Sequence, residues 1–389
     1  MTEKDKRIAV LLSGGVDSSV VLYELVHQGL QPDCFYIRIG ASPDTQHPTP
    51  NTQDEWDCSA EEDMEMATAV AHKYGCRLEV VDCHREYWEQ VTTYTMDKVR
   101  AGLTPNPDVM CNRLIKFGAF HEKRGHDYDV IATGHYATTE IEELSMSNSP
   151  LSIHKWLCTS PDPVKDQTDF LAQIYDWQLQ KALFPIGHMM KDEVRAIAER
   201  EHLAPAHRRD SQGICFLGKI NYNDYLRRYL GELPGDVVEL ETGRIVGQHK
   251  GHWFHTIGQR KGMGLGGGPW FVIRKDIAQN IIYVSHGYDP DTAYCQHFRI
   301  RDFHALTLPL EDCLGNSLTS DRSPLTAHNV TIKIRHTPEF LPAQIEATDT
   351  EGEYLVHAAA PIHGVAPGQF CVVYDNRHHR CYGSGEIAL

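Results

Sequence analysis

Residues 8–19 read IAVLLSGGVDSS, which places a glycine-rich loop directly after a run of apolar residues. The apolar run is typical of a strand that is buried on both faces of a parallel sheet. The two glycines allow backbone N–H groups to turn towards one point, and the helix expected from Asp17 adds its positive end there. Ser13, Ser18 and Ser19 supply hydroxyl groups around the same point. The stretch therefore predicts a phosphate-binding strand–loop–helix unit.

This loop has a simpler interpretation that must be weighed. A glycine turn followed by an ordinary helix N-cap uses similar residues at many strand–helix junctions. The double glycine and the three hydroxyl groups favour phosphate binding over that interpretation. The loop is not a Walker A motif, because it lacks the Gly-Lys-Ser or Gly-Lys-Thr ending. We expect Asp17 to position either a magnesium ion or the first turn of the helix.

Strands and helices alternate through the first half of the chain and imply a doubly wound parallel sheet, with ligands at the carboxyl ends of its strands. A loop at 102–110 precedes a helix expected at 111–123, and a hairpin with a polar tip is expected within 136–160. After about residue 218, short β-type runs with frequent glycine and proline take over. We predict an α/β catalytic domain at 1–218, then two small, mainly β domains at 219–287 and 288–389, the last a β-barrel.

Composition excludes several classes of protein. The chain has 389 residues and a formal net charge of −16, with no apolar leader segment and no long apolar run. Secretion and membrane spanning are therefore not expected, and the eleven cysteines, without any Cys-x-x-Cys, suggest reduced thiols in a cytoplasmic setting and no resident metal site. Residues 242–275 contain no acid and carry six lysines and arginines. They can contact phosphates, or can form an ordinary solvated face.

Two cysteines stand in unusual contexts. Cys111 follows the proline-rich segment TPNPDVM at 104–110, and Cys215 lies within DSQGICF at 210–216. A loop that activates with a nucleotide, combined with two thiols, suggests that a substrate is adenylated and then attacked by sulfur. By default a cysteine is a small buried apolar residue, and we hold that view for the other nine. Asn106 and Asp108 can likewise be plain turn residues.

The phosphate loop resembles that of the PP-loop ATP pyrophosphatases, which are adenine nucleotide alpha-hydrolase-like proteins. Further motifs narrow the resemblance. TPNPD at 104–108, CNRLIKF at 111–117, TGHY at 133–136, KDQ at 165–167, GICF at 213–216 and TIGQRKG at 256–262 are similar, in the same order, to the tRNA-specific 2-thiouridylase family. The resemblance runs from about residue 7 to 385. It implies ATP-dependent 2-thiolation of the wobble uridine of tRNA, in which the C2 oxygen is adenylated and replaced by sulfur.

The resemblance also implies roles for individual residues. Cys215 corresponds to the cysteine that carries a persulfide, Cys111 to the nucleophile that attacks it and leaves a disulfide, and Asp108 to an acid/base candidate. The implied cofactors are ATP and Mg²⁺. The positions implied to bind ATP are Leu11, Leu12, Ser13, Gly14, Gly15, Val16, Asp17, Ser18, Ser19, Ile37 and Gly134.

The resemblance implies a tRNA partner, bound through its anticodon region, and a protein that donates sulfur, either a sulfur-relay carrier or a cysteine desulfurase. His135 can instead cap a strand end, the 165–167 triplet can be only a helix start, and His336 replaces a more usual aromatic residue. The positions implied to contact RNA are Asn106, Pro107, Asp108, His135, Lys165, Asp166, Gln167, Arg335, His336 and Gln369.

Two other functions remain open on the residues alone. A synthetase that adenylates a small molecule would also need the phosphate loop, but not the paired cysteines or the basic β segment. An RNA-binding module with a vestigial loop would leave Asp108, Cys111 and Cys215 without a purpose. Nucleotide turnover and its dependence on tRNA separate the three hypotheses.

Overall fold

The computed structural model describes residues 6–39, 54–144, 152–209, 222–287, 290–314 and 328–388, without the side chains of 54–59 and 144. An N-terminal parallel sheet with helices is followed by two β-rich parts, so the predicted fold class is confirmed. The sheet order is β3-β2-β1-β4-β7, and each neighbouring pair is parallel. Its strands are β1 (Ile8–Leu11), β2 (Asp33–Arg38), β3 (Leu78–Asp82), β4 (Val130–Ala132) and β7 (Ala182–Leu183).

Strand β1 lies at the centre of this sheet and is buried on both faces. Ala9 and Leu11 belong to one hydrophobic core, while Ile8 and Val10 belong to the core on the opposite face. Alternate side chains of a strand point to opposite faces, so a four-residue run that is entirely apolar supplies both cores. This explains why the run at 8–12 shows no polar alternation.

Eleven α-helical segments are seen in the described ranges. Two of them continue into π-helical segments, Tyr87–Thr92 and Asn112–Ala119, so that 84–100 and 107–123 are each helical throughout. The α-helical segments are α1 (Val16–His27), α2 (Asp54–Lys73), α3 (His84–Glu86), α4 (Thr93–Arg100), α5 (Pro107–Cys111), α6 (Phe120–Lys123), α7 (Thr168–Leu171), α8 (Asp176–Lys181), α9 (Lys191–Arg200), α10 (Tyr222–Leu230) and α11 (Leu310–Cys313).

The loop expected at 102–110 is shorter than predicted. The helix begins at Pro107, because the Asn106 side chain accepts a hydrogen bond from the backbone N–H of Val109 at 3.3 Å and proline is favourable at a first helical position. Asp108 and Cys111 consequently stand on one helix, α5, and not on either side of a loop end.

The middle part contains a four-stranded sheet of order β10-β11-β8-β9. Its small core combines Trp270 and Val272 with Val237, Ile282 and Val284. The strands are β8 (Gly235–Glu239), β9 (Ile245–His249), β10 (Trp270–Asp276) and β11 (Ile281–His286).

The C-terminal part is a β-barrel, as predicted. Six strands follow the order β12-β15-β14-β13-β16-β17, and a direct pairing of β12 with β17 closes the ring. The strands are β12 (Tyr294–Ala305), β13 (His328–Lys333), β14 (Leu341–Ala347), β15 (Tyr354–His363), β16 (Phe370–Tyr374) and β17 (Arg380–Ala388). The closed ring leaves fewer unpaired edges than an open sheet of six strands would.

The predicted hairpin within 136–160 is present and consists of β5 (Thr138–Leu144) and β6 (Ser152–Cys158). Unexpectedly, it extends the barrel sheet, because Leu157 and Cys158 of β6 pair with Cys381 and Arg380 of β17. Hydrogen bonds therefore join the N-terminal part to the barrel strand by strand. No helix within the described ranges is both long enough and apolar enough to cross a bilayer.

Candidate functional site

The phosphate loop between β1 and α1 is shaped by a close approach to α2. Gly14 has φ of +76°, a left-handed conformation that glycine adopts at little cost. A Cβ atom on Gly14 would lie 2.1 Å from the backbone oxygen of Asp63. Both observations require glycine here, and they place α2 directly against the loop.

The serine hydroxyl groups hold the loop closed. Ser18 Oγ accepts a hydrogen bond from the Ser13 backbone N–H at 3.1 Å and donates one to the Gly15 carbonyl at 3.2 Å. Ser19 Oγ donates to the same carbonyl at 2.8 Å. Ser18 and Ser19 are buried, whereas Ser13 is exposed. Ser13 Oγ lies 3.1 Å from Ser18 Oγ and accepts from the Gly15 backbone N–H at 3.4 Å, so in this state all three predicted hydroxyl groups stabilise the loop from within.

Asp17 is held by two donors that the sequence did not reveal. Its Oδ1 atom accepts hydrogen bonds from Lys191 Nζ at 2.6 Å and from the Tyr136 hydroxyl at 2.9 Å. Within the described part of the chain, no hydrogen bond to Oδ2 is seen. Lys191 opens helix α9 and Tyr136 follows β4, so two distant segments converge on the first turn of α1. A carboxylate with one oxygen saturated and one open can accept a further cation or donor.

Gly134 brings the end of β4 against the start of α1. A Cβ atom at this position would lie 3.0 Å from the Ser18 backbone nitrogen. The predicted ATP-binding position Ile37 is buried in β2, in the same hydrophobic core as Leu11. Leu12 and Val16 belong to the core on the other face of the sheet. These positions surround the carboxyl ends of β1, β2 and β4, where a doubly wound sheet binds ligands.

His135 is buried beside this edge and is neutral. Its Nδ1 lies 2.8 Å from Thr133 Oγ1 and its Nε2 lies 3.3 Å from Lys116 Nζ. Burial, and secondarily the Lys116 ammonium, holds the pKa of His135 well below its usual value. An ammonium can only donate, so Nε2 accepts and Nδ1 carries the proton. The side chain is 6% exposed, which leaves little of the ring available to RNA in this conformation.

Helix α5 carries Asp108 and Cys111 next to the sheet. Cys111 is 1% exposed and lies in the hydrophobic core that also contains Leu11 and Ile37, whereas Asp108 is partly exposed. The thiol thus lies on the same face of the sheet as the predicted nucleotide site. It cannot meet a substrate base at this depth unless the segment moves. Cys215 lies outside the described residues, and none of the nine cysteines with described side chains forms a disulfide with another of them.

The barrel holds the segment that leads into α5. Gln369 Nε2 donates to the carbonyl oxygens of Thr104 at 3.0 Å and Pro105 at 3.3 Å. The Thr104 backbone N–H in turn donates to the Pro367 carbonyl at 2.8 Å. The predicted RNA contact Gln369 therefore stands on the segment before Asn106 in this structure, and not on an open surface.

The 165–167 triplet is divided between the interior and the surface. Asp166 Oδ2 lies 3.0 Å from Lys333 Nζ of the barrel, and each of these side chains is 1% exposed. Burial raises the pKa of Asp166, while Lys333 opposes that shift. Gln167 Oε1 accepts from the Tyr136 backbone N–H at 3.1 Å, and Lys165 is partly exposed. Lys165 and Gln167 are the members of the triplet that are partly exposed, and their contact with RNA stays a prediction.

Two predicted RNA positions of the barrel also contact other parts of the chain. His336 Nδ1 lies 3.1 Å from Asp169, and its ring packs on Phe170 with centroids 4.6 Å apart. Arg335 donates to the Gly364 carbonyl at 3.0 Å. His336 is therefore part of the contact between the barrel and α7. Its role in RNA binding stays a prediction.

The basic segment of the middle part is largely compensated. Arg244 lies 3.6 Å from Glu239, and Lys250 lies 3.6 Å from Glu232. Lys275 is only partly exposed, and desolvation of its ammonium lowers its pKa to about 8; it donates to the His255 carbonyl at 2.9 Å. Arg260 and Lys261 of the TIGQRKG motif remain exposed. Arg274 on β10 is exposed as well, and its guanidinium lies 4.1 Å from the ring centroid of Tyr283. The segment thus combines the two interpretations given above, because three of its six cations lie beside carboxylates or are partly buried and the other three are exposed.

In the portions of the chain that are described, one group of side chains has the chemistry of metal ligands. Glu140, Cys158 and His379 offer atoms within 4.8 Å of one another, at the joint between the hairpin and β17. Arg380 Nε donates to Glu140 at 3.1 Å, so a guanidinium already neutralises that carboxylate. Glu140 and Cys158 lie on the hairpin and His379 directly precedes β17, so none of the three belongs to the phosphate loop.

Comparison with known proteins gives consistent matches along the whole chain. Three family models match in succession: "tRNA methyl transferase HUP domain" at residues 6–219, "tRNA methyl transferase PRC-barrel domain" at 223–286 and "Aminomethyltransferase beta-barrel domain" at 316–387. The tRNA-specific 2-thiouridylase MnmA 2 of Bacteroides fragilis is 55% identical over 381 residues, which cover 98% of this chain and 99% of that protein.

Two further relatives agree. The tRNA-specific 2-thiouridylase MnmA 1 of Bacteroides thetaiotaomicron is 54% identical over 381 residues, 98% of this chain and 99% of the relative. The tRNA-specific 2-thiouridylase MnmA of Porphyromonas gingivalis is 53% identical over 380 residues, 98% of each. The similarity therefore extends over all three parts of the fold.

Proposed function

Because the chain belongs to the tRNA-specific 2-thiouridylase family, we propose that it uses ATP to replace the C2 oxygen of the wobble uridine of tRNA with sulfur. The observation that carries this proposal is the identity of 53–55% to thiouridylases over 98% of the chain. The geometry supports it, because the strand that leads into the phosphate loop and the helix that bears Cys111 share one hydrophobic core.

The first step activates a poor leaving group. The C2 oxygen of uridine attacks the α-phosphorus of ATP, pyrophosphate leaves, and the oxygen becomes part of an adenylate. The loop of residues 13–19 and the N-terminus of α1 stabilise the negative charge on the departing pyrophosphate. When the C2–O bond is broken in the second step, the group that departs is AMP, which is a far better leaving group than an oxide.

The second step delivers sulfur. A donor protein transfers a sulfur atom to Cys215, which becomes a persulfide. The Cys111 thiolate attacks the inner sulfur, so that a Cys111–Cys215 disulfide forms and hydrosulfide leaves. Hydrosulfide attacks C2 and AMP departs with the original oxygen. Two electrons from a cellular thiol reductant then restore both cysteines. Asp108, three residues before Cys111, acts as the acid or base for these proton transfers.

Mg²⁺ accompanies ATP in this proposal, and Asp17 fits as its protein ligand. Magnesium prefers oxygen ligands and often uses a single carboxylate together with substrate phosphates. Asp17 meets this need, because Lys191 and Tyr136 both bind Oδ1 and fix the carboxylate without using Oδ2. Mg²⁺ would supply charge neutralisation of the phosphates.

The tRNA contacts in this proposal are of two kinds. The first kind is partly exposed and can contact RNA with little rearrangement; its members are Asn106, Pro107, Asp108, Lys165 and Gln167. The first three of these stand at the start of the helix that bears Cys111. The other predicted contacts, His135, Asp166, Arg335, His336 and Gln369, hold segments of the chain together in the free protein. We propose that these residues affect tRNA binding mainly through the segments that they hold.

We also propose that the enzyme works in the cytoplasm, where the tRNA and the sulfur donor are found.

The decisive experiment measures 2-thiouridine in tRNA by mass spectrometry after reaction of the purified chain with ATP, a persulfide donor and unmodified tRNA. Cys111→Ser and Cys215→Ser should each abolish thiolation, while ATP and tRNA still bind. Cys295→Ser, at a partly exposed cysteine of the barrel, is the matched control and should react at the normal rate. Normal thiolation by the Cys111→Ser, Cys215→Ser double variant would refute the mechanism.

The same reaction tests the small-molecule synthetase hypothesis. That hypothesis predicts AMP and pyrophosphate without tRNA and without sensitivity to either cysteine substitution. The thiouridylase predicts AMP formation that requires tRNA. A methyl transfer, which the words of the family descriptions suggest, would instead yield a methylated nucleoside and no AMP.

A further inference from the structure

Arg208 contacts the phosphate loop from the side of α2. Its Nη1 atom donates to the Gly14 carbonyl at 3.2 Å and also contacts Asp63 Oδ1 at 2.6 Å. Its Nη2 atom lies 3.5 Å from Glu62 Oε2. The guanidinium therefore joins the backbone of the loop to the acidic residues of the helix that packs against it.

The hydrogen bond to Gly14 fixes the orientation of a peptide plane. In a trans peptide the carbonyl of one residue and the N–H of the next point in opposite directions. Because the Gly14 carbonyl is turned towards Arg208, the Gly15 N–H is turned away from Arg208 and α2. That N–H belongs to the N-cap residue of α1 and donates to Ser13 Oγ at 3.4 Å, a long bond that a phosphate oxygen can replace, because helix N-termini bind anions through their backbone donors.

Without Arg208, the carboxylate of Asp63 would disfavour the binding of phosphate at the loop. The backbone oxygen of Asp63 is the atom that a Cβ on Gly14 would meet at 2.1 Å, so the residue packs directly against the loop. A carboxylate beside a site for polyphosphate repels the ligand, and the repulsion is stronger where the surroundings are partly buried. Arg208 lies on that carboxylate and cancels its charge.

We propose that Arg208 is a positioning residue for ATP, which orients the Gly14–Gly15 peptide and neutralises Asp63 without itself binding the phosphates. This inference rests on the proposed use of ATP by the loop. Arg208 acts on the loop and on Asp63, so its removal should weaken ATP binding. The chemistry at saturating ATP should change little, because Asp108 and Cys111 stand on a different element.

The first test is steady-state thiolation by the full chain at varied ATP. Arg208→Met should raise KM for ATP tenfold or more, with kcat within twofold of the unsubstituted enzyme. Arg208→Lys keeps a positive charge but has a shorter reach to Gly14 and Asp63 and no second nitrogen for Glu62, so it should raise KM by an intermediate factor. Thermal unfolding of each variant establishes that it is folded. If Arg208→Met is not folded, the comparison of Arg208→Lys with the unsubstituted enzyme decides the test.

The second test asks whether ATP affinity lost in Arg208→Met returns when the negative charge of Asp63 is also removed. Asp63→Asn in the Arg208→Met background should recover at least threefold of the lost ATP affinity, whereas Asp63→Asn alone should change KM less than threefold. A double variant no better than Arg208→Met would show that Arg208 does not act through Asp63 and would overturn the proposal, as would an unchanged KM in Arg208→Met. If the unsubstituted enzyme shows no ATP-dependent thiolation, the proposed function fails instead, which separates the two outcomes.

Discussion

Lys333 of the barrel places its ammonium nitrogen 3.0 Å from Oδ2 of Asp166 in the N-terminal part, and both side chains are almost completely buried. Asp166 also accepts hydrogen bonds from Thr168 Oγ1 at 2.9 Å and from the Ser160 backbone N–H at 3.0 Å. The pair is therefore well satisfied, and it links the barrel to the segment that contains Lys165 and Gln167.

Removing only one partner of this pair should lower the stability of the protein strongly. Lys333→Met leaves a buried carboxylate without its counter-charge, and we expect the free energy of unfolding to fall by about 3–5 kcal/mol at pH 7. Urea denaturation followed by circular dichroism measures the change. The double variant Lys333→Met, Asp166→Asn removes both charges and should lose less. Equal losses in the single and double variants would contradict the pairing.

The donors to Asp17 should control ATP binding in proportion to their charge. A hydrogen bond to a charged group contributes about 1.5–3 kcal/mol, and 1.4 kcal/mol is tenfold in affinity. Lys191→Met should therefore weaken ATP binding about tenfold or more, and Tyr136→Phe by a smaller factor, as measured by calorimetry with a non-hydrolysable ATP analogue. Lys181→Met is the control, because Lys181 donates to the backbone carbonyl of Tyr128, away from the loop. Loss of affinity in Lys181→Met equal to that in Lys191→Met would argue against a specific role.

Substitution of Gln369 should lower the rate of thiolation and leave ATP binding unchanged. In Gln369→Glu a carboxylate replaces the amide that donates to Thr104 and Pro105, so the segment before Asp108 is repelled from the barrel. We expect kcat for thiolation to fall about tenfold, with KM for ATP within twofold, on the basis of two lost hydrogen bonds. Gln344→Glu, on the exposed face of β14, makes the same chemical change and should react normally. A change in ATP affinity alone would disagree with this assignment.

Lowering the pH from 7 towards 5 should destabilise the middle part of the chain, at pH values above those at which most carboxylates become protonated. Burial lowers the pKa of His255 to about 4, and His249 and Lys275 add to the shift. An unfolded histidine has a pKa of about 6.5, so between these values the unfolded chain binds a proton that the folded chain does not. This contribution to stability is present above pH 6.5 and is lost as the pH falls towards 4.

The size of this effect can be measured directly. Between pH 7 and pH 5, His255 should account for a loss of roughly 2 kcal/mol in the free energy of unfolding of the part that it stabilises. Urea denaturation at the two pH values should show a smaller difference for His255→Gln than for the unsubstituted chain. His72→Gln, at an exposed position near the end of α2, should leave the difference unchanged. The same pH dependence in all three proteins would exclude His255 as its source.

The phosphate loop was predictable from sequence because its determinants are local. Gly14, Ser18 and Ser19 lie within one strand–loop–helix unit, and their conformations follow from neighbours only a few residues away. Strand β7 was not predicted, because its two residues are a strand only through their pairing with β4. The start of α5 was misplaced by four residues because the capping role of Asn106 was treated as part of a loop.

The residues that surround the loop could not be found in the same way. Lys191, Tyr136 and Arg208 reach Asp17 and Gly14 from segments that are distant in sequence, and nothing in their local patterns indicates this. The same is true of Gln369 and Lys333 of the barrel, whose partners belong to the N-terminal part of the chain. Motif similarity identified candidate positions there, but only the tertiary structure indicates which of them face inward.

The pairing of the hairpin with the barrel has a consequence for how the chain acquires its structure. Strand β6 is translated with the N-terminal part, but its partner β17 follows only after the whole middle part and most of the barrel. Until then Leu157 and Cys158 lack their partners on the edge of β6 that faces away from β5. Unpaired strand edges are a known hazard for aggregation, and contacts between such distant segments form slowly. The nascent protein therefore has a long vulnerable interval, so a chaperone that shields the hairpin should raise its folding yield.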